Sequence, residues 1–98
     1  MTIPTDEEIL TGLREEMAAV LESTTVDIDD MGPQTPLLSL PLDSLRLVEL
    51  MSRVEDRFRV YIPEQAAFGF ATIGDVVEHV RAKSEAKAAR AAGRQAAG

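Results

Sequence analysis

Three stretches of this 98-residue chain repeat apolar side chains at the three-and-four spacing of a buried helical face, and each starts at a residue type that caps helices. The first carries Ile9, Leu10, Leu13, Met17, Val20 and Leu21, with Arg14, Glu15, Glu16 and Glu22 on the opposite side. It opens on Thr5-Asp6-Glu7-Glu8, a capping box in which the threonine hydroxyl and the glutamate three residues on satisfy each other's backbone amides. The spacing predicts a helix over 6–23. A second helix, from Asp43-Ser44 to Arg57 or Phe58, gathers Leu47, Val48, Leu50, Met51, Val54 and Phe58 on one face. The last follows Thr72-Ile73-Gly74-Asp75, the weaker aspartate form of the same box, and buries Ile73, Val76, Val77 and Val80. Between them, Arg59-Val60-Tyr61-Ile62 reads as extended ahead of Pro63, and residues 63–67 as one short helical turn ended by Gly69. Apolar residues placed this way are buried helix against helix. The expected fold is all-α, a four-helix bundle with a short third helix.

The connection over 24–42 is longer than most loops in compact domains. Its Val26, Ile28, Met31, Leu37, Leu38, Leu40 and Leu42 give the reason: they pin the segment across the bundle. The core is aliphatic, with four aromatics and no Trp. Beyond Val80 no large apolar residue remains, so residues 1–83 are expected to form the folded domain and 84–98 a flexible, basic, Ala-rich tail.

Charge divides at the same place. Residues 1–80 hold 16 Asp/Glu against 5 Arg, net −11, whereas 81–98 hold 5 Lys/Arg against Glu85, net +4. An acidic body repels nucleic acid, and the basic tail has no aromatic side chain on which a base can stack. No apolar run approaches the roughly 18 residues of a membrane span. The acidic N-terminus lacks the layout of a signal peptide, and a cytoplasmic location is expected. With no cysteine, disulfides and thiolate metal sites are excluded.

The chain presents no catalytic constellation. His79, the single histidine, has no cysteine to share a zinc ion with and reads as a solvated helix residue. Asp27, Asp29 and Asp30 have two of the spacings of a calcium loop but lack its glycine and distal glutamate. No metal site is expected. What stands out is Ser44, on the first turn of the second helix after a long loop, with Asp43 before it. Leu45, after it, points to the polar side of the helix. Read locally, Asp-Ser is a common helix cap.

Leu40-Pro41-Leu42-Asp43-Ser44-Leu45, followed by Val48-Glu49-Leu50, resembles the Asp-Ser-Leu signature of the acyl carrier protein family. The resemblance continues in register through Phe58, Ile62-Pro63, Thr72-Ile73 and Val76-Val77, and covers residues 6–82. It implies that Ser44 receives 4'-phosphopantetheine from coenzyme A, delivered by a phosphopantetheinyl transferase. The thiol of that arm then carries acyl groups as thioesters. It implies too that Asp43 helps present the serine and meets the transferase or its magnesium, and that Leu45 faces partners. The carrier is then a monomeric shuttle rather than an enzyme, served by ketosynthase, acyltransferase or adenylation enzymes.

Two features depart from the family. Pro41 stands where a glycine is usual, and it fixes the backbone near −65° and removes an amide. The second helix is also not acidic: over 43–59, Asp43, Glu49, Glu55 and Asp56 face Arg46, Arg53, Arg57 and Arg59, net zero. Carriers of fatty-acid synthesis resemble one another in an acidic helix here. The resemblance therefore points to a free-standing carrier of polyketide or related specialised biosynthesis, with Arg46, Glu49 and Arg53 as partner contacts. Two alternatives stand beside it. Ala67-Phe68 before Thr72-Ile73 is similar to aminoacyl or peptidyl carriers of nonribosomal peptide synthesis, and a helical interaction module without a prosthetic group is the other.

Overall fold

The computed structural model describes residues 3–21 and 30–97. Among the described residues four α-helices follow one another: α1 (Asp6–Val20), α2 (Ser44–Phe58), α3 (Glu64–Gly69) and α4 (Ile73–Ala97). A 3-10 turn, Leu37–Ser39, lies in the long connection. Among the described residues the extended pairing is confined to one isolated bridge between Pro36 and Thr72. The expected four-helix, all-α bundle with a short third helix is what forms.

Both capping boxes form. Thr5 accepts the Glu8 amide at 3.1 Å while Glu8 accepts the Thr5 amide at 2.9 Å. The hydrogen bonds from Thr5 hold the Glu8 carboxyl below the usual carboxylate range. At α4, Asp75 accepts the amides of Ala71 and Thr72 at 2.8 and 3.1 Å, and Thr72 accepts that of Asp75 at 3.3 Å. The first helix ends at Val20 with Leu21 as its C-cap; residues 22 and 23 of the expected helix lie outside the described residues.

Most of the side chains the periodicity selects form the core, whereas Leu10, Leu47, Val48 and Phe58 are only partly buried. Ile9, Leu13, Met17, Leu50, Val54, Ile73, Val76 and Val80 are buried, and α1 packs on both α2 and α4. Met31, Leu37 and Leu40 pin the long connection to it. Leu38 does not: it is 98% exposed, because the tight 3-10 turn sends successive side chains in divergent directions. Val26, Ile28, Asp27 and Asp29 lie outside the described residues, and Asp30 is exposed. The first half of the connection's described part is also tied to α1 and α4. Arg14 of α1 donates to the Met31 carbonyl, and the Ile73 and Gly74 amides donate to Thr35 and Pro33 at 2.9 and 2.8 Å.

Two local expectations are corrected. Arg59 is not extended but left-handed (φ 56°, ψ 46°), serving as the C-cap of α2, with its amide donating to the Glu55 carbonyl. His79 is half-buried rather than solvated; its Nε2 lies 3.2 Å from the Tyr61 carbonyl and its ring meets Phe70 edge-on. The last helix runs on past Val80 as one element to Ala97, about 37 Å at 1.5 Å per residue. Ser84 is still buried on it, and Lys87 reaches back to the Arg59 carbonyl at 3.2 Å.

Candidate functional site

Ser44 is the first helical residue of α2 and is exposed. Its place is set by the residue before it. Asp43 takes an extended backbone (φ −83°, ψ 178°) and its carboxylate accepts the Arg46 amide at 2.8 Å, while its carbonyl accepts the Leu47 amide at 2.9 Å. Asp43 thus closes the first turn around the serine, as an N-cap does. The 3-10 turn and Leu40 anchor the approach from the other side, with the Leu42 amide donating to the Leu40 carbonyl at 2.7 Å.

A hydroxyl at this position has two properties that suit it to carry a phosphodiester. It is open to another protein's active site, and the anion it would bear lies at a helix N-terminus, where unpaired amides and the helix dipole favour negative charge. The residues present fit the group.

The other side chains singled out in sequence are spread over the neighbouring surface of α2. At about 100° per residue, Leu45, Arg46, Glu49 and Arg53 share a sector of about 100°. Leu45 is 77% exposed, as its position on the polar side predicts, and Glu49 is exposed too. The two arginines are held within the chain. Arg46 donates through Nη1 to the Val20 carbonyl at 2.6 Å, and Arg53 pairs with Glu16 at 3.1 Å. Arg57 pairs with Glu15 and Glu16 at 3.0 and 2.9 Å, and the hydrogen bond to Glu16 pushes its already high pKa further up. Of the alternating charges of α2, Arg53 and Arg57 therefore pair across to α1, not along their own helix.

Leu38 and Phe68 are exposed apolar residues that sequence periodicity does not single out. Leu38 sits in a run of apolar residues in a 3-10 turn, and Phe68 in a helix of six residues, where no face repeats often enough to be read.

The geometry agrees with the comparisons. Residues 11–80 match the family model described as a phosphopantetheine attachment site. The meromycolate extension acyl carrier protein of Mycolicibacterium smegmatis is 34% identical over 82 residues, 83% of this chain and 80% of that one. Its counterpart in Mycobacterium leprae is 33% identical over 83% of this chain and 69% of its own length. The acyl carrier protein of Streptomyces coelicolor is 34% identical over 89 residues, 90% of this chain and 91% of that one. This chain belongs to the phosphopantetheine-binding acyl carrier protein family, whose prosthetic group is a covalently attached 4'-phosphopantetheine.

Proposed function

We propose that Ser44 is the attachment residue and that the chain is a discrete carrier, the substrate and shuttle of other enzymes and not an enzyme itself. The observation that carries this reading is the exposed serine hydroxyl on the first turn of α2, closed by Asp43, inside the matched region. When bound, the arm supplies a thiol on which acyl groups travel as thioesters. The protein's own residues present the hydroxyl, meet the phosphodiester's charge with a helix N-terminus, and offer Leu45 to the enzymes that visit. Activating the hydroxyl falls to the transferase, since this chain places no histidine beside Ser44; its single histidine lies on α4. Loading from coenzyme A fits a cytoplasmic, monomeric protein.

The pathway we favour is polyketide or related specialised biosynthesis, supported by the net-zero charge of residues 43–59. A second reading, extension of long acyl chains, is favoured by the names of the mycobacterial relatives. The test is intact-mass analysis after incubation with coenzyme A and a promiscuous transferase. One phosphopantetheine is expected on the wild type and none on Ser44→Ala; loading of the alanine variant would refute the assignment. The mass of thioesters isolated on the protein from its host separates the two pathways.

A further inference from the structure

Two helix ends meet at Arg46. Its backbone amide is the one that the Asp43 carboxylate caps at the start of α2, at 2.8 Å. Its guanidinium donates to the carbonyl of Val20, the last residue of α1, at 2.6 Å. The last carbonyls of a helix have no partner within it and carry the negative end of the dipole. The last turn of α1 holds no basic residue of its own, so Arg46 supplies the cation there from the neighbouring helix.

We propose that Arg46 is a positioning residue for the loading of Ser44, a latch that fixes the first turn of α2 to the end of α1 and so holds the serine where a transferase meets it. This rests on the attachment assignment made above. Ser44 and Arg46, two positions apart, project to different sides of the helix, so the arginine acts on the serine through the turn and not through contact. The arrangement also gives Arg46 a task other than contacting a partner: its Nη1 is already engaged inside the chain. Because a single N–H makes the bond, a lysine at this position keeps the latch, whereas methionine keeps the length and apolar stem and loses it.

The test combines amide exchange of the unmodified protein with loading kinetics, for wild type, Arg46→Met and Arg46→Lys. In Arg46→Met, exchange at position 46 and at Leu47 rises roughly tenfold while the amides of Leu13 and Val54 stay protected. Loading by the transferase falls roughly tenfold, in kcat rather than KM and independently of salt, the sign of a misplaced reacting group. Arg46→Lys restores both. Unchanged exchange in Arg46→Met, or a loss confined to KM and dependent on salt, would overturn the latch and make Arg46 a contact of the partner. If wild type itself takes no phosphopantetheine, the attachment assignment fails, and the exchange data alone still decide whether the latch exists.

Discussion

Arg53 of α2 donates to Glu16 of α1 at 3.1 Å, and that same carboxylate accepts Arg57 through its other oxygen at 2.9 Å. One carboxylate thus ties two turns of α2 to α1 and engages two of the three arginines on α2. Glu49 and Asp56, by contrast, remain exposed on that helix. What a partner meets is therefore set by pairing between helices as much as by the composition of α2.

Breaking this pair has two separable effects. Arg53→Glu sets like charges against each other and lowers stability, and combining it with Glu16→Arg recovers part of the loss. A double-mutant cycle should give a coupling of about 0.2–1 kcal/mol, smaller at high salt, as for partly exposed pairs. Arg53→Glu should also make the protein a better substrate for a fatty-acid ketosynthase. Equal use of wild type and variant would leave Arg53 with a structural task alone.

Two glycines are expected to respond differently to alanine. A Cβ on Gly74 would lie 2.8 Å from the backbone oxygen of Pro33, which already accepts the Gly74 amide. Neither can give way without loosening the long connection, so Gly74→Ala should cost about 1–3 kcal/mol in denaturant unfolding. A Cβ on Gly12 would lie 2.7 Å from Arg57 Nε and Phe58 Cζ, the ends of side chains that can turn aside. Gly12→Ala also gains about 1 kcal/mol of helix propensity, so the smaller loss belongs there.

Leu45→Ala tests the partner-facing surface. The residue is 77% exposed, so stability should stay within about ±0.5 kcal/mol. Loading or acyl transfer should slow. A loss of several kcal/mol with unchanged transfer would place Leu45 in the core.

Truncation after Lys83 should leave the bundle folded. It removes Ser84 and the Lys87 bond to the Arg59 carbonyl but no large apolar side chain. Circular dichroism should show loss of helical signal in proportion to the residues removed, with a small fall in Tm; cooperative collapse would make the extension part of the domain.

What was legible in the sequence is what depends on neighbours along the chain. Thr5 with Glu8 and Thr72 with Asp75 lie three residues apart, so their boxes can be read directly, and the helical period alone predicts that Leu45 is exposed. What stayed hidden depends on residues brought together by folding. Gly12 reads as a mild flaw in α1 until Phe58 and Arg57 are seen against it. Arg59 reads as extended because it precedes an extended run, yet the end of α2 takes it into a left-handed turn usually reserved for glycine. At the site, Ser44, Asp43 and Leu45 were legible as a local motif, whereas the hold of Arg46 on Val20, 26 residues away, was not.

The chain holds five serines, at 23, 39, 44, 52 and 84, and Ser44 alone is proposed to carry the arm. Peptide mapping by tandem mass spectrometry of the protein loaded from coenzyme A tests it most directly. Phosphopantetheine is expected on Ser44 alone, and the Ser44→Ala variant should fold but stay unmodified. Modification at any other serine, or none on the wild type under conditions that load a reference carrier, would contradict it.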